Sequence, residues 1–452
     1  MNPESVGTES SAYKGLLDEL TLVNCMYNLY ATHNDDKLKG HSIFVQKGAK
    51  EPKDIYDARL HHAWCTNYLG EVIPAQVGAI LKEYEIDFSE FTDPTLISWL
   101  KNITGTGISL EGVVSQLLHN ALLYGYAPWY INYPTYDKGA VHTLRDLQDL
   151  NMQPTVVVMD PLSMIEATSM TVNGIIQPAR VKFKITQSSS YNPLTGELED
   201  DESTYDAVLV LTSEGIDLYY KNKKNKYEQS GATSPWVKTD DKSTSCTPLT
   251  YAVTSEPGAF MYSPPPYAEL AQTQAKLYES VGTHDYSVSQ ACIMILFGKQ
   301  ISKNSNSVDV GAVTLVTADS PTADLRFIEI GGAALTISNV KLERLKAECE
   351  ALSGITFSGD TANSTATKEV MLSASAANMR QSLVISVAYN LTMILRSLAL
   401  RGGLKLSNPA AEVHLLKKDA TTFVTDATQS TDPNTTVGAF VNNTKKLTGA
   451  HS

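Results

Sequence analysis

Few side-chain groupings in this 452-residue chain could do chemistry. His61 and His62 stand side by side, with Trp64 and Cys65 just behind, as the one His/Cys cluster. Adjacent residues on a helix point about 100° apart, so the two imidazoles are poorly placed to share one ion. Ordinary helix-face histidines account for them. Gly105-Thr106-Gly107 precedes Ser109 and an apolar-periodic run, and a glycine loop before a helix N-terminus can hold an anion. No Lys-Ser or Lys-Thr pair follows, so it is not a phosphate-binding loop, and a turn followed by an N-cap explains it. Glu197–Glu202 is acidic and Lys221–Lys226 basic. Either could meet a partner or a divalent ion, but solvated hairpin tips explain both. The acidic cluster also lacks the strand-anchored partner of a two-metal nuclease. G-x-S-x-G, H-E-x-x-H and calcium-loop patterns are all missing. The expectation is a protein that is not an enzyme, with no catalytic, metal-binding or cofactor-binding residues.

Composition sets the bounds. The chain is long enough for two or three domains with cores of their own, and 42% hydrophobic with 19% charged residues is globular. The net charge of −13 is the opposite of what tight phosphate binding requires. Cys25, Cys65, Cys246, Cys292 and Cys349 are odd in number, widely spaced and without a C-x-x-C, which predicts reduced thiols. The polar start MNPESVGTESS is not a signal peptide. No apolar run of membrane-spanning length is expected, because Arg380, Asn390 and Arg396 interrupt the most apolar helix.

Periodicity predicts the elements that would position any site. Ser11–Tyr27 reads as a helix, Thr32–Lys53 as loop, Asp54–Leu69 as a helix ended by Gly70, and Pro74 to Tyr84 as a further helix. Asp93-Pro94 starts a short helix. Leu110, Val113, Val114, Leu117, Leu118, Ala121 and Leu122 form the apolar face of another, stopped by Gly125. The chain then turns to strands: Trp129–Tyr133, Thr155–Met159, Ile165–Val172 and Ile175–Ile185 around Asn173-Gly174. A second hairpin, Ala207–Thr212 with Ile216–Tyr220, and a polar linker over Thr239–Ser245 follow. Near the end, Val413–Leu416 suggests a strand, and Thr421–Ser452 is poor in core material.

The stretch Tyr262–Gly403 is organised differently. Pro264-Pro265-Pro266 launches a helix, Tyr267 to about Ser289, on which Leu270, Leu277 and Val281 make a narrow apolar seam with Gln274 between them. Strands are expected at Cys292–Phe297, Ala312–Val316 and Leu325–Ile330. A short helix, Ser338–Leu352, repeats Leu342, Leu345, Cys349 and Leu352. The polar stretch Ser353–Thr367 has Asp360 as its one charge, and a helix from Lys368 to Arg401 closes the block at Gly402-Gly403. That last helix would be roughly 50 Å long. Its stripe of Met379, Leu383, Val384, Val387, Leu391, Ile394, Leu395 and Leu398 is wide enough to lie across a core.

Helix, small β insert, helix, polar loop, long helix: this order resembles the stem, clip, second stem, tunnel loop and wing helix of tailed-phage portal proteins. The words that carry the resemblance include SPPPYAELAQTQAKLYESVGTHDYSVSQAC, LRFIEIGGAALTISNVKLERLKAECEALSGITF and ATKEVMLSASAANMRQSLVISVAYNL. Upstream, YDARLHHAWCTNYLGEVIPAQVGAIL and GTGISLEGVVSQLLHNALLYGYAPWYINYP are similar to the amino-terminal wing. The resemblance spans roughly 55–403.

It implies an α+β portal-type fold. A helical and β wing would occupy 1–250, a first stem helix 251–289, a small α/β clip 290–335 and a second stem helix 336–352. A tunnel loop would follow at 353–367, a long wing helix at 368–403 and a short crown-like C-terminus at 404–452. Family members carry a larger helical crown, from which this short polar tail departs. The resemblance further implies a ring of twelve copies at one capsid vertex, the conduit for DNA packaging and ejection. Its partners would be double-stranded DNA in transit, the terminase large subunit, a head-tail adaptor, and the major capsid and scaffold proteins, with no membrane and no cofactor. The protein would reside in the virion, and in the host cytoplasm during assembly. Asp360, Asn363, Ser364, Thr365 and Lys368 would face the DNA, and Lys299, Lys303, Asp309, Asp319 and Arg326 would dock partners at the clip. An acidic chain suits a channel through which DNA slides without sticking. Two other classes stay open: a metal-dependent nuclease or phosphoryl-transfer enzyme, and a monomeric binding module.

Overall fold

The computed structural model describes residues 3–29, 47–132, 153–172, 175–191, 194, 198–212, 215–222, 224–229, 234–235, 250–256, 259–291, 295–299, 324–328, 332–354, 366–404 and 406–418. In chain order the helices begin with α1 (Pro3–Val6), α2 (Ser11–Tyr27), α3 (Lys53–His62) and α4 (Tyr68–Glu83). After strand β1 (Tyr84–Asp87) come α5 (Pro94–Trp99), α6 (Leu110–Tyr124), β2 (Tyr126–Asn132) and β3 (Thr155–Val158). A run of strands follows: β4 (Met164–Val172), β5 (Ile175–Tyr191), β6 (Leu198–Thr212), β7 (Gly215–Lys221), β8 (Tyr227–Gln229), β9 (Ser234–Pro235) and β10 (Thr250–Thr254). The remainder is α7 (Ala268–Ala291), β11 (Ile295–Lys299), β12 (Asp324–Ile328), α8 (Gly332–Ser353), α9 (Ala366–Arg401) and β13 (His414–Lys417).

A three-stranded sheet ordered β10–β2–β3 forms the floor of the helical body. Both α6 and α9 lie against it. The predicted apolar face of α6 is buried as its spacing requires, Leu110 through Leu122. Ser109 occupies the N-cap position, but its side chain makes no capping bond. Gly125 ends the helix at φ 87°. A Cβ there would also sit on the carbonyl oxygens of Ser263 and Pro264, so both the turn and the crossing chain require glycine. A second sheet runs β4–β5–β6–β7–β8, with β9 also on β7. One of its faces is closed by the N-terminal segment, where Val6 is fully buried. Lys182, 2% exposed, donates from Nζ to the Ser5 carbonyl at 2.9 Å and pairs with Glu166 at 2.7 Å. Removing one partner from such a pair leaves an uncompensated buried charge.

Several expectations need correcting. No helix runs from Asp54 to Leu69: α3 stops at His62, and α4 starts after Asn67, whose side chain accepts from Gly70 N at 2.9 Å. The Asn67 cap outweighs the breaker character of Gly70, and Pro74 lies inside α4 rather than starting a helix. Tyr84 opens β1 rather than ending that helix, and β1 pairs antiparallel with β13. The acidic stretch is not wholly a hairpin tip, because Leu198 pairs with Tyr191 and residues 198–202 continue as β6. The basic run does form a tight turn, in which Asn222 Oδ1 accepts from Lys224 N and Lys226 N and Asn225 has φ 60°.

The seam of α7 is not narrow. Tyr267, Ala271, Gln274 and Tyr278 are buried along with Leu270, Leu277 and Val281. The helix is enclosed because α2, α3, α4 and α8 all contact it. Contrary to expectation, Asn378–Leu400 is long and apolar enough to cross a membrane, and 61% of its apolar window is buried inside the protein. Its interrupting polar residues are turned to internal partners. Asn390 Oδ1 accepts from Trp129 Nε1 at 2.9 Å, Arg380 pairs with Glu83 at 3.0 Å, and Arg396 Nε donates to Ala411 O at 3.0 Å. Of the expected segments, the loop at 30–46, the linker at 236–249 and the strand Ala312–Val316, within 301–323, lie outside the described residues, as does 419–452.

Replacing Asn390 by Leu removes the Oδ1 that accepts from the buried Trp129 Nε1. The expected loss is about 1–3 kcal/mol of unfolding free energy, read from a urea titration of the purified protein. An unchanged midpoint would show that the bond contributes nothing net.

Candidate functional site

The part of the molecule with a distinct architecture is the block α7, β11–β12, α8 and α9. Its base is set by α7, whose Gln274 is fully buried. Gln274 Oε1 accepts from Leu69 N at 3.2 Å, while Nε2 donates to Met26 O and to Asn67 Oδ1, each at 3.3 Å. Asn67 Nδ2 in turn donates to Tyr27 O at 2.8 Å. Toward its C-terminal end α7 meets α3 closely: a Cβ on Gly282 would lie 2.9 Å from Arg59 O and 2.8 Å from Ala63 Cβ. A larger residue there would push the helices apart.

On another side, α8 runs back along α7. His284 Nδ1 and Ser338 Oγ are 3.0 Å apart near the turn-around, and Leu342, Leu345 and Cys349 are buried toward the base. The strands between them form an antiparallel ladder, Ile295 opposite Ile328 and Lys299 opposite Asp324. α9 is 36 residues long. At 1.5 Å per residue that is about 54 Å, close to the sequence expectation.

Two open grooves mark the described surface. One, about 460 Å³, lies between α7 and α8 and is lined by His284, Val288, Leu335, Val340 and Glu343, among others. The other, about 450 Å³, runs beside α6 past Ser115, His119 and Asn120 to Asp160. In it His119 Nε2 sits 2.9 Å from Tyr27 OH and Asp160 Oδ1 accepts from Leu162 N, so these groups hold the local structure. Among the described residues no group of three His, Cys, Asp or Glu could hold a metal ion. His61 and His62 face each other edge to face at 6.1 Å, with His62 also near Tyr286 at 6.5 Å.

Cys65 and Cys349 are both buried, and burial pushes each thiol up to about 12. Such thiols carry almost no thiolate at neutral pH and react slowly.

The predicted site residues fall unevenly on this framework. Lys299 and Arg326 lie on β11 and β12, with Phe297 opposite Arg326 in the register. Lys368 lies in the first turn of α9. Asp360, Asn363, Ser364, Thr365, Lys303, Asp309 and Asp319 lie outside the described residues. Sequence reasoning named Trp64 only as a neighbour of the His/Cys cluster and gave it no role, yet it is 58% exposed and fixed by a 3.0 Å bond from Nε1 to Asp285 Oδ2. Its signal was the W in the HHAWC word; the carboxylate 221 residues downstream had none.

Residues 266–400 match a family model described as a domain of unknown function, DUF4055. No curated protein matches the chain. Among solved structures, a chain in the "neck of empty GTA particle computed with C6 symmetry" is similar at 8% identity and a TM-score of 0.41. That alignment covers 85% of this chain and 90% of the other. A chain from the virion of the native gene transfer agent (GTA) particle is similar at 9% identity and a TM-score of 0.39, with the same coverage. Scores at this level do not establish a shared fold.

Substituting Gln274 by Leu should cost about 1–3 kcal/mol, because the Leu69 N–H and Met26 carbonyl lose a buried partner. A denaturant midpoint within error of wild type would remove this role. Separately, peptide mapping after brief native treatment with iodoacetamide at pH 8 should find Cys65 and Cys349 unmodified, and both should label once urea unfolds the chain. Rapid native labelling of either would contradict its burial.

Proposed function

We propose that this chain is a portal subunit of a tailed-phage-like particle, a structural conduit rather than a catalyst. The observation that supports the reading best is the order of parts: two helices, α7 and α8, joined through the β11–β12 ladder and followed by the long helix α9. This is the order that, at the sequence level, resembles stem, clip, stem and wing helix. In this reading α7 and α8 form the stem and β11–β12 belongs to the clip. The α2–α6 body with its two sheets then makes the wing. Copies of the chain form a ring of twelve, through which DNA enters under the terminase motor and later leaves toward the tail.

Chemistry supports a passive role. A chain of net charge −13 repels a polyanion on average, and repetition around a ring multiplies that repulsion. DNA then slides without ion pairs to arrest it. The stretch between α8 and α9 supplies hydroxyls and backbone amides, which touch phosphates weakly. Clip residues Lys299, Lys303, Asp309, Asp319 and Arg326 would dock terminase and adaptor.

Negative-stain images of the purified full chain test the reading: rings with a central hole are expected. Compact monomers at every concentration, or metal-dependent cleavage of DNA, would overturn it in favour of a binding module or a nuclease. Within rings, replacing Asn363, Ser364 and Thr365 together by Arg should slow packaging while assembly persists. The same change at Ser188, Ser189 and Ser190 should not. Equal packaging by both sets would remove the tunnel assignment.

A further inference from the structure

The α7 neighbourhood has two free edges that differ in chemistry. Gly282 meets Ala63 and Arg59 of the α3 region, and the Tyr286 ring neighbours that of His62. Midway between them, His284 meets Ser338 of α8. Two residues along a helix turn it by about 200°, so α3 and α8 flank α7 on opposite sides. The resulting layer, α3–α7–α8, ends in one outer face on each side.

On α3 the outer face carries Asp54, Asp57 and His61, all exposed at a spacing of three and four. It ends at Trp64, a large aromatic held in the open by Asp285. On α8, Ile337 is 73% and Val340 61% exposed. Lys341 and Arg344 are exposed beside them, at i+4 and i+7 from Ile337, so the four share one helix face. Leu342, Leu345 and Cys349 of the same helix are buried, so this outer face has no part in the core, and Val340 marks where it borders the groove between α7 and α8.

We propose that a second copy of this chain covers each face. Trp64 and Asp57 of one copy dock on Ile337, Val340, Lys341 and Arg344 of the next. Three features choose this occupant. Both faces combine apolar surface with charge, the balance of charge is opposite although Lys53 shares the α3 face and Glu348 the α8 face, and the two faces lie on opposite sides of one layer. A face that meets a different face propagates head to tail and closes at a fixed rotation, whereas a two-fold contact would need one self-complementary patch. In a chain of net charge −13, a cationic pair on an apolar face is also where another acidic copy meets least repulsion. Duplex DNA would use the cations and leave Ile337 and Val340 in water, so it fits less well. The inference rests on the ring reading and specifies its contact.

The test uses the full chain and mass photometry. One variant, W64A/D57A, blocks the α3 face, and K341E/R344E blocks the α8 face. Each alone should weaken self-association by about 30-fold or more, as a lost hot spot does. Mixed in equal amounts, they retain one intact contact per pair and should give dimers but no rings. Rings from either variant at wild-type concentrations, or no dimers in the mixture, would overturn the contact while leaving the ring reading intact. A wild type that stays monomeric overturns both. As an independent measure in a chain with all native charges on α8, D57C with V340C should yield a ladder of subunits on bifunctional maleimide cross-linking. A monomer band alone would overturn the proposal, as would salt-sensitive retention of duplex DNA lost on K341E/R344E.

Discussion

The carboxamide of Gln274 holds the molecule's centre. Helix ends leave backbone groups without partners, and burying them unpaired is costly. Where α2 ends and α4 begins, those groups are the carbonyls of Met26 and Tyr27 and the amides of Leu69 and Gly70. Gln274 serves one from each end, Asn67 serves the other two, and the two side chains bond each other. Apolar contact alone would let α7 slide by a fraction of a turn. A fully satisfied amide network does not, because any shift strands a buried donor or acceptor. The positions of α3 and α8 follow, since each is built against α7.

A second polar link performs the same service for α9. Its wide apolar stripe gives α9 affinity for the sheet of β10, β2 and β3, but a stripe of leucines does not choose a register by itself. Asn390 bonded to Trp129, with Ser386 Oγ accepting from Thr254 N at 3.1 Å, sets that register. Composition alone would let this helix pass for a membrane span. Its polar residues are instead the points at which it is fastened to the body.

The sequence was most informative where one face of one element decides the outcome. The α6 stripe, the Gly125 stop, the long α9 and the pairings of β4 with β5 and of β6 with β7 follow from local period and turn chemistry. It was least informative where partners are distant. Gln274 looked like a polar gap in a thin seam, because its acceptors lie near Met26 and Asn67, more than 200 residues away. Gly70 and Pro74 looked like punctuation, because the Asn67 cap that overrides them cannot be distinguished from a loop residue by period alone. Of the β1–β13 pair only the second strand was legible, at Val413–Leu416; its partner was not, and only the fold brings Tyr84 to Lys417. For the proposed site, element order was legible and side-chain placement was not. Trp64 gains its meaning from Asp285, which no spacing rule connects to it.

The Trp129–Asn390 bond also sets a clock on the ribosome. Its partners are separated by 261 residues, and at about 5–20 residues per second the indole waits on the order of 10 to 50 s for its acceptor to be made. Until then the floor sheet lacks α9, and its apolar upper surface is open to any nascent neighbour. The Trp64 edge is translated still earlier, well before the α8 edge. A nascent chain therefore passes through a period in which an apolar face later covered by α9 is open to unspecific contact. Holding the nascent sheet apart from its neighbours, by a chaperone or by spacing of ribosomes, becomes a condition for yield.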